Sequence, residues 1–505
     1  MDIQKIRRDF FESAKKNKLC LLLFFLSLFL FIYMHFINLS WDFSAYALNS
    51  RYLFYGGTYF ETLRPPMVSI LLAPFLIFGT IGEYLFIIFV SILFLYSSIK
   101  LSDAIFEKYA EKGKTNIYFL RFVFYFFSLS IYSMYYSFFA GSELLALAFF
   151  ELFLASLLKN KISGFYFGLA FLTRYNFLIF FPLLFFNKDY RKIIKNFLLF
   201  FIVVFPWFLF NYLKYGNWFT SIIDSYANNI FLRSYLYMPF KFSEIFSVIG
   251  YFLIFFIIGL VFAFYLIAAS KKNWFSINIT NILFMIIFLV IILDYSNIPL
   301  KDIRYLFNLC LPVAYFSALG MFFLLGLNKS KSNFIYLRKI VIIIMVIAFL
   351  FNFCFTFYII NKLNNLDNKF YSAAKDIKEM GVDNCEILSP AWILVGYFTE
   401  NVYPLGVNSV RESLGLGKII LIFKGDVTLD DIYKIEELIP NKKLMETDDY
   451  VFYAKKGFLA EDCAKKYVFD APYVREHCTI ISSKFKNFNL KEYVLKICRM
   501  INNEE

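Results

Sequence analysis

Long apolar runs, nearly free of charge and bounded by basic clusters, restrict the fold of this 505-residue chain more than any other feature. The first, near residues 19–38, reads LCLLLFFLSLFLFIYMHFIN. About 20 such residues in a helix match the ~30 Å hydrocarbon core of a bilayer. Soluble chains are nearer half apolar, whereas here 60% of residues are hydrophobic and the mean hydropathy is +0.62. The expected fold class is therefore mainly α, a polytopic membrane protein. The first run is too long for the apolar part of a signal peptide and lacks a small-residue cleavage site, so it is read as a retained span.

A net charge of +13 could suggest a nucleic-acid partner, but its distribution argues otherwise. Residues 1–361 carry 31 Lys and Arg against 16 Asp and Glu; residues 362–505 carry 20 against 22. The excess lies in the apolar half, where topology explains it, because basic loops stay on the cytoplasmic side. The basic clusters are Lys5–Lys18, Lys100–Lys114, Lys159 and Lys161, Lys188–Lys195, Lys271 and Lys272, and Lys329–Lys339. The segment ISGFYFGLAFLTRYNFLIFFPLLFFN has basic flanks on both sides and Arg174 at its middle. It is read as two short helices turning at about Thr173–Tyr175. About eleven transmembrane helices follow, near 19–38, 81–100, 117–137, 142–157, 162–173, 177–187, 196–213, 245–269, 276–294, 306–327 and 340–361. The N-terminus is then cytoplasmic and the C-terminus outside, in a multi-pass cell-membrane protein. The membrane domain is assigned to residues 1–361. Its long first outer loop, 39–80, contains PMVSILLAPFLIFG, which is too short to span and reads as interfacial or re-entrant.

After residue 362 the composition becomes that of a soluble domain, read as a small extracytoplasmic α/β unit over 362–505. NKFYSAAKDIKEM and DDIYKIEELI are helical in pattern; CEILSP, KIILIFKG and YVFYAKK are strand-like. Cys385, Cys463, Cys478 and Cys498 fall in this part, an even number in a disulfide-permissive compartment. Cys463 with Cys478 is one pairing; connectivity stays open.

Chemistry is sought on the outer face. Asp42 follows the first span directly, and a carboxylate at the mouth of an apolar protein is a functional candidate by default. The plainer role is helix capping, because NLSWDFSAYAL can open an interfacial helix with Ser40 or Asp42 as the cap. Eight cations remain near the outer face: Arg51, Arg64, Arg174, Lys214, Arg233, Lys241, Lys301 and Arg304. Arg174 and Arg304 stand closest to apolar runs. A guanidinium at membrane depth needs an anion, and its planar fork suits phosphate oxygens; a lipid-linked phosphate would supply one, and headgroup contact or snorkelling is the alternative. Only two histidines occur, so a carboxylate is the available base. No zinc pattern is present; a lone Mg or Mn held by carboxylates stays open.

Four segments together resemble the GT-C superfamily of integral-membrane glycosyltransferases that use polyprenyl-phosphate sugars, in the protein O-mannosyltransferase and lipid A aminoarabinose transferase branch. They are WDFSAYALNSRYLFYGGTYFETLRPP, GSELLALAFFELFLASLL, SGFYFGLAFLTRYNFLIFFPLLFF and KDIRYLFNLCLPVAYFSALG, spread in that order over most of residues 19–327. The resemblance implies a sugar moved from a polyprenyl (dolichyl-type) phosphate to a glycan, lipid or protein acceptor, with membrane lipids around it and no nucleic acid involved. It implies Asp42 as catalytic base and Glu143 as the assisting acid. It implies Arg174, Lys301, Arg304 and Tyr305 around the lipid phosphate. Arg64, Tyr46 and Tyr59 are candidates for sugar or acceptor contact. Asp42 is followed by Phe43 rather than a second acid, and the oligosaccharyltransferase WWDYG signature is absent. Both departures weigh against a protein hydroxyl or asparagine as acceptor. A transporter or flippase for a lipid-linked glycan is the competing reading. It is disfavoured by spans almost charge-free at depth and by the absence of an internal repeat.

Overall fold

The computed structural model describes residues 16–129, 141–231, 238–268, 275–326, 367–405, 410–424, 441–470 and Pro472, apart from residues 38, 114–115, 188 and 300, together with scattered positions of 336–358. The expected helix at DDIYKIEELI, Arg233, Cys478 and Cys498 lie outside the described residues, as does part of the expected span at 340–361.

Apolar sequence folds into helices α1 (Lys18–Ile37), α2 (Trp41–Tyr55), α3 (Met67–Leu76), α4 (Thr80–Gly113), α5 (Ile117–Ser128), α6 (Ser142–Leu158) and α7 (Gly164–Thr173). A 3₁₀ segment at Tyr175–Phe185 leads to α8 (Tyr190–Tyr215) and α9 (Thr220–Tyr226). Then come α10 (Phe242–Ile249), α11 (Leu253–Ala268), α12 (Phe275–Asn297), a 3₁₀ turn at Ile303–Leu309 and α13 (Cys310–Gly326). Among the described residues five helices are long and apolar enough to cross a membrane, or six if α10 and α11 form one bent span. That is fewer than the eleven expected. Helix α5 lies on the first part of the expected span 117–137, whose residues from 130 on are outside the described ones, and α7 and the 3₁₀ segment are the two short helices expected on either side of Arg174.

The break between α7 and the 3₁₀ segment falls at Arg174, whose extended backbone (φ −150°, ψ 120°) makes the expected turn. The start of α7 is pinned to α8 by Asn196, whose Oδ1 accepts from the Ser163 and Gly164 amides at 2.7 and 3.1 Å. Gly164 is required there, since a Cβ would lie 1.9 Å from the Asn196 carbonyl oxygen. Inside the bundle the buried Glu151 of α6 accepts from Ser97 and Ser98 of α4, closest at 2.5 and 2.8 Å. The expectation of spans almost bare of charge did not foresee this acid; it pins two helices together.

The C-terminal part builds a five-stranded sheet in the order β2-β1-β3-β5-β4, with β1 Ile387–Ser389, β2 Val402–Pro404, β3 Ile419–Phe423, β4 Asn441–Glu446 and β5 Tyr450–Lys455. β2, β1 and β3 run parallel; β5 is antiparallel to both β3 and β4. Strands β1, β3 and β5 and helix α14 (Asp367–Glu379) fall on the segments read as strands and helix from sequence. A further helix, α15 (Trp392–Thr399), follows β1. Cys463 bonds Cys385, not Cys478. The sheet unit docks on the segment between α1 and α4: Trp392 meets Trp41 edge to face at 4.6 Å, and Phe469 stacks on Tyr59 at 5.1 Å. Lys214 pairs with Asp470 at 2.9 Å.

Candidate active site

Ser40 is the residue that caps α2. Its hydroxyl accepts from the Phe43 amide at 3.0 Å, which leaves the Asp42 side chain, two residues further, free to turn into the bundle. Next, the Asn49 amide clamps the peptide of Glu61 by donating to its carbonyl at 2.9 Å and accepting from its N–H at 2.7 Å. This fixes the stretch leading to Arg64. On α6, Gly141 caps the helix at φ 72°, a left-handed conformation other residues resist, and so presents Ser142 and Glu143. Arg174 arrives from the α7 break, and Arg304 from the turn after α12, where Asp302 Oδ1 accepts from the Arg304 amide at 2.9 Å.

These side chains converge. Arg64 contacts Asp42 at 2.5 Å and Glu61 at 2.7 Å. Arg304 pairs with Asp42 and, at 2.9 Å, with Glu143. Arg174 pairs with Glu143, donates to Ser142 Oγ at 3.1 Å and lies over the Phe307 ring at 4.8 Å. Asp42 and Arg304 are 262 positions apart in sequence and meet directly. Three guanidiniums thus face three carboxylates. Burial alone would raise the Asp42 carboxyl; Arg304 and then Arg64 overcome it and hold the group well below the usual carboxylate range.

One cavity opens on this cluster, with about 1080 Å³ of atom-free space, open solvent included. Asp42, Tyr46, Arg64, Arg174, Arg304 and Tyr305 line it. Glu143 does not; its side chain is fully buried behind Arg174 and Arg304. Lys301 is also outside the cavity. Its ammonium donates to the carbonyls of Tyr295 and Ser296, each at 2.9 Å, and of Ile298. Tyr59 lies at the sheet interface, where its hydroxyl accepts from Trp392 Nε1 at 2.8 Å. Among the described residues no group of three or more His, Cys, Asp or Glu is placed to hold a metal ion. Asp294, which the sequence reading counts among the outer carboxylates without giving it a role, and Asn176, Asn228 and Asn229, which it does not single out, line the same cavity. An acid in the last turn of an apolar helix was the available signal for Asp294; the asparagines gave none.

Residues 63–291 match the model for glycosyltransferase family 87. The fold is that of a crystal structure of ArnT from Cupriavidus metallidurans bound to undecaprenyl phosphate, at a TM-score of 0.55 and 11% identity, covering 88% of this chain and 99% of that one. A search of curated proteins finds no match. The resemblance to GT-C glycosyltransferases therefore holds in sequence and in fold. The chain is a membrane protein with a glycosyltransferase fold.

Proposed function

We propose that the protein transfers a sugar from a polyprenyl-phosphate carrier to an acceptor hydroxyl on the outer face of the membrane. The observation that carries this reading is the meeting of Asp42 with Arg304, beside Arg64 and Arg174, in one cavity. The undecaprenyl phosphate in the ArnT structure supports a carrier of that chemistry here.

The resting cluster is charge-balanced, so a phosphodiester must compete with carboxylates for its guanidiniums. The planar forks of Arg304 and Arg174 suit phosphate oxygens as well as carboxylates. Drawing Arg304 towards phosphate loosens its hold on Asp42 and makes that carboxylate more basic. Asp42 then takes the acceptor hydroxyl proton as the new bond to the anomeric carbon forms. The bond from that carbon to the phosphate oxygen breaks, the electron pair leaves on a polyprenyl phosphate monoester, and the arginines stabilise the growing charge. One displacement inverts the anomeric centre. Glu143 acts behind the arginines by aiming both of them. The Cys385–Cys463 disulfide supports an extracytoplasmic sheet domain over 362–505, and with it a cytoplasmic N-terminus under a multi-pass arrangement.

Asp42→Asn is expected to fold and insert yet lose transfer by about 100-fold or more, measured as sugar released from undecaprenyl-phosphate sugars in proteoliposomes. Arg304→Ala is expected to lose binding of undecaprenyl phosphate itself. Full transfer by Asp42→Asn would remove that residue from catalysis. Movement of an intact lipid-linked glycan across the bilayer with no sugar released would replace the reading with the flippase.

A further inference from the structure

Part of the lining of this cavity is uncharged or acidic and is not used by the phosphate chemistry. It is made by Asn176, Ser225, Tyr226, Asn228, Asn229 and Asp294. Asp294 stands in the last turn of α12, half-buried, and has no hydrogen-bond or ion-pair partner among the described residues. The Oδ1 of Asn176, two residues after Arg174, is buried without a hydrogen-bond partner. Asn228 and Asn229 lie on the π-helical turn Ala227–Phe231 that continues α9. Such turns occur in short pieces and are frequent at functional sites, because the wider turn redirects side chains. Asn229 spends one donor on the Ser225 carbonyl at 2.8 Å, which holds the turn. The Tyr226 hydroxyl is pushed up by burial and then by the Asp294 carboxylate, so it stays protonated beside that acid.

A buried polar atom left without a partner is costly and uncommon in a folded chain. Here the Asn176 Oδ1 is such an atom, and it lines the cavity that holds the arginine cluster together with the half-buried Asp294 carboxylate. The sugar of the donor is one bond from its phosphate, so phosphate held at Arg304 and Arg174 leaves the sugar ring inside the same space. A carboxylate accepts from two hydroxyls, and amides both donate and accept; that inventory fits a polyhydroxylated ring. We propose that Asp294, with Asn176, Asn228 and Asn229, binds hydroxyl groups of the transferred sugar and determines which sugar the protein accepts. This rests on the reading of the preceding subsection.

The test uses the full-length protein in proteoliposomes with a panel of undecaprenyl-phosphate sugars carrying mannose, glucose, galactose or arabinose. Release of sugar identifies the best donor, which is then compared with its monodeoxy counterparts. Asp294→Asn is expected to raise KM for the best donor by about tenfold or more. It is also expected to erase the wild-type penalty for at least one deoxy donor, because a site built around a hydroxyl rejects an analogue lacking it. Binding of undecaprenyl phosphate alone, which also reports folding, is expected to stay within about twofold of wild type. Asp294→Glu, which keeps the charge, is expected to fall between the two. An unchanged KM and unchanged discrimination in Asp294→Asn would overturn the proposal, and so would an equal loss of undecaprenyl phosphate binding. Wild-type protein that releases sugar from no donor would instead overturn the glycosyltransferase reading itself.

Discussion

Lys301 and Arg304 are three residues apart, and the turn between them gives them opposite tasks. All three carbonyls that Lys301 meets belong to the end of α12 or just beyond it, so its ammonium caps that helix and complements its dipole. Lys301→Met is expected to cost about 2 kcal/mol of stability and to leave undecaprenyl phosphate binding intact, by thermal unfolding and lipid binding in detergent. Glu143→Gln should do the reverse of a surface change. It leaves Arg174 and Arg304 without their shared buried acid, which costs about 3 kcal/mol, and it should weaken undecaprenyl phosphate binding because neither fork is aimed. The acid titration of Asp42 has a fixed sign. Its carboxyl is held below its unfolded range, so the ion pairs contribute fully above about pH 4 and are lost as pH falls through the lower folded value. The difference in melting temperature between wild type and Asp42→Asn is therefore expected to be constant from neutrality to about pH 5 and to narrow below about pH 4. Asp42, Arg174 and Arg304 were legible in the sequence because each is a charge against an apolar run. Whether a neighbour such as Lys301 shares their cavity depends on a backbone turn that no residue pattern announces.

At the level of helices, close approach is set by small residues rather than by apolar character, because lipid is as apolar as leucine. Gly259 of α11 and Gly320 of α13 cross so tightly that a Cβ on Gly259 would lie 1.7 Å from the Phe316 carbonyl oxygen, and one on Gly320 2.2 Å from that of Phe255. Gly259→Ala is expected to push these helices apart and to cost at least about 2 kcal/mol, read as a lower melting temperature in detergent. The same substitution at Gly415, where a Cβ meets nothing within 4 Å, is expected to have little effect. The hairpin turning at Arg174 was legible because basic flanks on both sides forbid a single crossing. The tight crossing of α11 on α13 at Gly259 and Gly320 was not, since an apolar run shows only what lipid or core tolerates. Strands β2 and β4 escaped for a related reason: three residues, Val402–Pro404, or a polar edge segment, Asn441–Glu446, carry too little alternation to register.

At the scale of the whole molecule the sheet unit is tied to the segment between α1 and α4 and to those two long helices. The Tyr397 hydroxyl donates to Glu83 at the start of α4, and the other oxygen of Glu83 lies 2.8 Å from His35 Nε2 on α1. Arg51 of α2 donates to the Tyr397 carbonyl at 2.5 Å and lies over the same ring at 4.9 Å. Thus α2, the helix that carries Asp42 at its beginning, has its other end fastened to α15 of the sheet unit. None of this was legible along the chain, because Tyr397 is more than 300 positions from Glu83 and from Arg51 and each is an ordinary aromatic or charged residue. The disulfide then decides how firmly the anchor holds. Cys385 precedes β1 and Cys463 follows β5, so the bond closes the sheet across a separation of 78 residues. On a chain-entropy account a loop of that size is worth about 4–5 kcal/mol. Cys385→Ser with Cys463→Ser is expected to loosen the sheet unit first, seen as protease cleavage within residues 380–470 at concentrations that leave wild type whole. If the docked unit holds α2 in place, transfer activity should fall in parallel while undecaprenyl phosphate still binds, because Arg174 and Arg304 are carried by other elements. Activity equal to wild type in a protein already cleaved in that region would show that the cavity keeps its shape without the anchor.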